Sequence, residues 1–253
     1  MVRQPIVAGN WKMHGSLAAN QQLMRAINAG LNTQIQTQVL VFPPFVYLPQ
    51  VAALVAESQC SIGFGAQNLS DKPMGAFTGE ISATMLVDLG CSHVLVGHSE
   101  RRSLYQESEQ LVASKFVAAL AAGLIPVLCI GESLAEREAG RTMAVVFSQL
   151  DAIIDAVGTV GLSKGIIAYE PVWAIGTGKT ASPQQAQDVH NEIRSHIREL
   201  DEKIANGIQI LYGGSVKATN ATELFAMEDI DGGLIGGAAL MADDFIGICV
   251  AAG

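Results

Sequence analysis

Residues 165–171 read Gly-Ile-Ile-Ala-Tyr-Glu-Pro. The apolar residues follow one another without alternation, and a carboxylate and a proline close the run. A strand with one wet face alternates apolar and polar side chains. A strand covered on both faces does not, and such strands belong to parallel sheets clothed in helices. The reading Gly165–Tyr169 = buried parallel strand therefore asks for more runs of the same kind, with helices between them.

Seven more are present. They are Ile6–Ala8, Val39–Phe42, Ile62–Gly65, His93–Val96, Ile125–Ile130, Ile208–Leu211 and Gly233–Ile235. The intervening stretches carry helical spacing. Ser16–Ala29 sets Leu17, Met24 and Ile27 among Gln and Asn, and Ser108–Ala122 repeats Leu111, Val112, Phe116, Ala119 and Leu120. Ser182, then Pro183 and Gln185, forms an N-cap with proline in the first turn, and Val189, Ile193 and Ile197 follow it. Gly30 and Gly123 sit where helix C-caps belong. Strand–loop–helix units repeated through 253 residues without a linker predict an α/β chain. Eight units favour a closed, single-domain (β/α)8 barrel over residues 1–253 rather than an open doubly wound sheet.

Composition narrows the partners. Lys plus Arg number 15 against 24 Asp plus Glu, a formal charge of −9, which argues against nucleic acid or an anionic membrane as a partner. A small anionic substrate would then need local positive potential built into its site. Cys60, Cys91, Cys129 and Cys249 are far apart and read as small hydrophobes in a reducing compartment. The N-terminal apolar run is too short for a signal peptide. The long apolar stretch Phe116–Gly131 is divided by Gly123 and Pro126 and is not expected to span a membrane. A soluble cytoplasmic chain is expected.

The polar residues cluster at the C-terminal ends of the predicted strands, where barrel active sites lie. Glu170 ends strand six; partial desolvation there would make it a stronger base, although a strand-end carboxylate can also simply pair with Lys or Arg. His98, between Gly97 and Ser99, opens a helix, whose N-terminus favours a neutral imidazole able to donate to a carbonyl oxygen. The alternative is a capping or core histidine, and His14, His93, His190 and His196 are assigned to such structural roles. Lys12, just past strand one, supplies positive potential or forms a structural ion pair. Gly176-Thr177-Gly178-Lys179, Gly213-Gly214-Ser215 and Gly236-Gly237 follow strands six, seven and eight, where glycine lets backbone N–H groups approach an anion. No dinucleotide fingerprint, Walker lysine motif or metal-ligand spacing is present, so no cofactor and no metal are expected.

Taken together, Gly-Asn-Trp-Lys-Met (9–13), Gly-His-Ser-Glu-Arg-Arg (97–102), Val-Leu-Cys-Ile-Gly-Glu (127–132), Ala-Tyr-Glu-Pro-Val-Trp-Ala-Ile-Gly-Thr-Gly-Lys (168–179), Tyr-Gly-Gly-Ser (212–215) and Gly-Gly-Ala (236–238) resemble the triosephosphate isomerase family over essentially the whole chain. The resemblance implies a TIM barrel that interconverts dihydroxyacetone phosphate and D-glyceraldehyde 3-phosphate through an enediolate. It implies Glu170 as base, His98 and Lys12 as electrophiles, Asn10 as an orienting group and Glu100 as a further site carboxylate. Gly176, Ser215, Gly236 and Gly237 are implied as phosphate ligands through their backbone N–H groups. The 171–181 segment is implied as a lid that excludes water, hinged at Pro171-Val172-Trp173 and Lys179-Thr180-Ala181. It also implies a homodimer, in which Gln67–Glu80 docks beside the partner's site, with Phe77 as apolar anchor, Thr78 reaching across and Glu80 pairing with Arg101. Two departures stand out: His14, where the family often has Asn, and Ala239, where many members have Ser, a change expected to loosen the phosphate loop. The competing readings are another phosphate-binding barrel enzyme, such as a sugar-phosphate epimerase or lyase, and a noncatalytic barrel that only binds.

Overall fold

The computed structural model describes residues 3–31, 35–58, 61–175 and 180–253. Eight parallel strands close into a barrel in sequence order: β1 Ile6–Asn10, β2 Gln38–Phe42, β3 Ile62–Ala66, β4 His93–Val96, β5 Ile125–Ile130, β6 Ile166–Tyr169, β7 Ile210–Tyr212 and β8 Gly232–Ile235. β1 pairs with both β2 and β8, which closes the sheet.

The unbroken apolar runs have a simple cause. Successive side chains on a strand point to opposite faces, and here both faces are dry. Ile6, Ala8, Leu40, Phe42, Leu95, Val127, Cys129, Ile166, Ala168, Leu211 and Leu234 fill the barrel interior as one cluster. Val7, Val39, Val41, Val94, Val96, Leu128, Ile130, Ile167, Ile210 and Ile235 face outward into a second cluster shared with the helices. This parity also places the site. The next inward positions after Ala8, Ala168, Leu211 and Leu234 are Asn10, Glu170, Gly213 and Gly236, and all four line the cleft at the mouth of the barrel.

Several boundaries differ from the sequence reading. β1 runs on to Asn10, which pairs with Phe42. Ile208 lies outside β7: its N–H donates to the Ile204 carbonyl and ends a short helix, Glu202–Gly207, that the apolar run concealed. Gly30 is the last residue of the helix Leu17–Gly30, which ends on extended Leu31. A Cβ at Gly30 would run into Ile246, so this glycine serves close packing rather than a left-handed cap. Gly123, at φ +82°, does take the left-handed conformation just past the helix Glu109–Ala121. Ser16, Ser108 and Ser182 all cap helices with their side chains, and Ser182 and Gln185 complete a reciprocal capping box.

One helix, Thr142–Leu162, has the length and apolar composition to cross a membrane. It is broken at Gly158 (φ 68°, ψ 173°) and buries Val146, Leu150, Ile153 and Leu162 in the layer between helices and barrel. Of its most apolar stretch, 22% is buried in this way.

The N-terminal end of the barrel is pinned by a charged cluster. Arg194, 1% exposed, donates to Asp229 Oδ1 and Asp231 Oδ2, both at 2.7 Å, and to the carbonyls of Ala205 and Ile208. Arg3 also donates to Asp231. Burial pushes the Asp229 pKa up, but hydrogen bonds from Asn191 and Gln187 and the Arg194 guanidinium outweigh it and hold the carboxyl below its ordinary range. Arg194→Met would leave two buried carboxylates short of their main partner. A loss of about 3–5 kcal/mol is expected, read as a fall in the urea midpoint; an unchanged midpoint would show that the cluster contributes nothing to stability.

Buried histidines give the fold an acid limit. Desolvation pushes His93 and His190 down to about 4. In the unfolded chain they titrate near 6.5, at about the unperturbed value. As pH falls below that value the unfolded chain binds protons that the native state refuses until about 4. Stability contributed by these two residues is complete above the unfolded pKa and declines through the window down to the folded one. The denaturation midpoint is expected to be lower at pH 4.5 than at pH 7.5, and an equal midpoint at both would count against this linkage.

Candidate active site

Glu170 follows β6 and is 2% exposed. Its N–H donates to the Ile130 carbonyl at 2.7 Å, extending the β5–β6 pairing by one residue. A Cβ at Gly131 would overlap the Glu170 carbonyl oxygen, so a glycine is required beside the base. The carboxylate accepts from the Ser99 N–H at 3.0 Å and the Ser99 hydroxyl at 3.3 Å, and it lies 3.0 Å from His98 Nε2. Among the described residues no Lys or Arg pairs with it; its partners are Ser99 and His98.

His98 caps the helix Ser99–Leu104. The Glu100 N–H donates to His98 Nδ1 at 3.2 Å, so Nδ1 carries a lone pair and the neutral ring has its proton on Nε2, facing Glu170. The helix terminus thus fixes both the position and the tautomer of this imidazole.

Lys12 adopts φ +50°, in the left-handed region. For a residue with a side chain this conformation costs energy and persists only where the surroundings hold it. Two contacts do so: the Lys12 N–H donates to Asn10 Oδ1 at 2.9 Å, and Gln67 Nε2 donates to the Lys12 carbonyl at 2.8 Å. Asn10 therefore acts on the site partly by shaping the turn that delivers Lys12. Lys12 Nζ donates to Glu100 Oε1 at 2.6 Å. Burial raises the Glu100 pKa, but the Lys12 hydrogen bond, with the nearby charges of His98, Lys12 and His14, more than offsets it and holds the carboxyl low.

Asn10, Lys12, His98, Glu170, Ser215, Gly236 and Gly237 share one cleft of about 540 Å³. Glu100 joins through Lys12. Gly176, together with Thr177, Gly178 and Lys179, lies outside the described residues, as does Cys60. Phe77 and Thr78 are exposed on the 67–80 segment and do not line the cleft. One expectation needs correction. Arg101 pairs with buried Glu107 at 2.6 Å, not with Glu80, which is exposed and has no ion pair among the described residues. Glu107 lies six residues along the same segment and is also held by Lys115, so it outcompetes a solvated carboxylate. Ala239 is fully buried in the turn after β8, beside Gly9 and Phe245.

The sequence reading gave no role to Ser99, Gln67 or Glu132. Ser99 sits inside the Gly-His-Ser-Glu peptide, so proximity to His98 was its signal. Gln67 reaches Lys12 across 55 residues and carried no local signal. Glu132, fully buried, accepts from the Tyr169 hydroxyl at 3.0 Å, Trp173 Nε1 at 2.9 Å and Arg137 Nη1 at 3.2 Å, while the Arg137 guanidinium lies over the Trp173 ring at 4.6 Å. This group anchors the segment leaving β6. Burial and the Glu132 carboxylate raise the Tyr169 phenol well above its ordinary range, so it remains a donor.

Comparison with known proteins agrees with this geometry. The family model described as triosephosphate isomerase matches residues 5–252. A triosephosphate isomerase of Thiobacillus denitrificans is 60% identical over 251 residues, covering 99% of each chain. One of Dechloromonas aromatica is 56% identical over 251 residues, covering 99% of this chain and all of the relative. One of Nitrosomonas europaea is 56% identical over 252 residues, covering all of this chain and 99% of the relative. With its closed barrel and the grouping of Glu170, His98 and Lys12 at the mouth, the chain belongs to the triosephosphate isomerase family.

Proposed function

We propose that the chain interconverts dihydroxyacetone phosphate and D-glyceraldehyde 3-phosphate through an enediolate, with Glu170 as base and His98 and Lys12 as electrophiles. The observation that carries the reading is the meeting of a buried carboxylate, an Nε2–H imidazole and a lysine in one cleft with two glycine turns. Glu170 takes a proton from substrate C1, and the C–H electron pair forms the C1–C2 double bond. The C2 carbonyl becomes an oxyanion beside His98 Nε2–H and Lys12 Nζ. A proton then passes between the two substrate oxygens, and Glu170 returns its proton to C2. Donors fixed in advance stabilise that charge without reorganising. The carboxylate must first give up Ser99 and His98; a substrate oxygen replacing it at His98 Nε2 turns the occupied donor into the catalytic one. Backbone N–H groups of Ser215, Gly236 and Gly237 hold the phosphate, with Gly176 assigned the same role by the family resemblance. Conversion of dihydroxyacetone phosphate in a coupled assay tests the reading. An inert chain would favour a noncatalytic barrel, and a chain active only on other sugar phosphates would favour an epimerase or lyase.

The same reading places the chain in the cytoplasm as a homodimer. Support for the dimer comes from Met13, Val46, Met74 and Phe77, which are 94%, 76%, 79% and 44% exposed in the single chain. Such residues are costly to leave in water, and the 67–80 segment that carries two of them is held in place at its base. There Leu69 is buried, and Lys115 Nζ donates to Asn68 at 2.8 Å. Phe77 and Thr78 are the proposed contacts with the second copy. Replacing residues 71–78 with a short glycine-rich turn should give a soluble monomer by sedimentation, with its helical signal kept and most activity lost through disorder at Lys12 and His98. A fully active monomer would refute the buttressing, and a wild-type chain sedimenting as a monomer would refute the dimer.

A further inference from the structure

Asn10 and Lys12 reach the cleft from the end of β1, and Gly236 and Gly237 from the end of β8. On the function proposed above, one pair of positions polarises the carbonyl and the other holds the phosphate. Their separation must therefore match the length of a triose phosphate. β1 and β8 are hydrogen-bonded neighbours, but the backbone pairing ends at Gly9 and Ile235. Something beyond the sheet must set the height of the turn that follows.

The contact lies on the outer face of β1. Gly9 has the outward parity of Val7, and a Cβ there would stand 2.9 Å from Ala239 Cβ and 3.2 Å from two ring carbons of Phe245. The first separation is closer than real carbons approach, so no side chain fits without movement. Ala239 belongs to the turn Gly237–Leu240, is fully buried, and donates its N–H to the Gly236 carbonyl at 2.9 Å. A shift of Ala239 is thereby passed to Gly236. Phe245, also fully buried, closes the far side from the helix Ala242–Ala251, and its N–H donates to the Met241 carbonyl. The turn is clamped between strand and helix with no slack to absorb an added methyl group.

We infer that Gly9 and Ala239 are a size-matched pair that fixes the distance between the Asn10–Lys12 turn and the Gly236–Gly237 phosphate turn. Both are positioning residues, and neither touches substrate. The phosphate stays bound throughout the reaction, so displacing its N–H donors weakens ground state and transition state alike. That signature is a raised KM with kcat largely kept.

The test is a volume exchange. Gly9→Ala, Ala239→Gly and the double variant are compared with wild type by circular dichroism, by kcat and KM for dihydroxyacetone phosphate, and by the rise in melting temperature with inorganic phosphate. Gly9→Ala is expected to raise KM about tenfold, the size of about one weakened hydrogen bond to the phosphate, and to blunt the phosphate effect. The double variant, which returns the methyl count of the contact to that of wild type, should recover most of both. Should Gly9→Ala fail to fold, restored folding in the double variant supports the pair, and Ala239→Gly alone should still raise KM by loosening the turn. The inference is overturned if the double variant is no better than Gly9→Ala, or if Gly9→Ala and Ala239→Gly both bind phosphate like wild type. A wild-type chain inert toward dihydroxyacetone phosphate would sink the functional reading instead, and the phosphate melting series would still decide the pair.

Discussion

Glu170→Gln is expected to keep the barrel and lose about 10²- to 10⁴-fold in turnover, the range for a positioned general base. The amide has the shape of the carboxylate and can still accept from the Ser99 N–H, so folding should be spared. It cannot accept a carbon-bound proton, and Glu100, the other carboxylate beside His98 among the described residues, is tied to Lys12. Glu170→Asp separates chemistry from placement. The carboxylate remains but is withdrawn by roughly 1 Å, which is enough to cost about a hundredfold. Circular dichroism and kcat on the purified variants decide the matter. Near-wild-type turnover in either would remove Glu170 from the role of base.

Lys12→Met comes second in expected size, at about 10²- to 10³-fold in kcat/KM, the cost of removing one preorganised donor to a developing oxyanion. On a chain of net charge −9, Lys12 brings a positive charge into the cleft that His98 and Glu170 line, with Lys217 lining it as well. Its loss removes an electrophile and also strips Glu100 of the hydrogen bond that keeps its carboxyl low. The variant would thus place a less well compensated acidic group beside an anionic substrate. Methionine retains most of the stem, and Asn10 and Gln67 hold the backbone of residue 12 independently of its charge. A folded variant is expected, and its melting curve checks this. Wild-type kcat/KM in Lys12→Met would reduce this lysine to an ion-pair residue.

Much of the barrel was legible because its physics is local. Strands dry on both faces must be apolar at every position, so runs such as Ile125–Ile130 mark themselves. The same even parity that buries Ala8 and Ala168 carries Asn10 and Glu170 to the mouth. Ile208 misled because apolar residues that cap a helix look the same as those that begin a strand. The site was legible where one peptide carried several of its parts, as in Gly-His-Ser-Glu. It was opaque where a partner comes from afar. Gln67 supports Lys12 across 55 residues, through a contact that no spacing rule encodes.

The central claim is proton transfer through Glu170, and the direct measurement is proton NMR of dihydroxyacetone phosphate incubated with the wild-type chain in D2O. A proton held on a carboxylate oxygen is exchangeable with solvent, whereas one held on carbon is not. The account predicts formation of glyceraldehyde 3-phosphate together with deuterium at the reacting carbons, both slowed in parallel by Glu170→Gln. Absence of conversion, or conversion with every carbon-bound hydrogen retained and no dependence on Glu170, would contradict it.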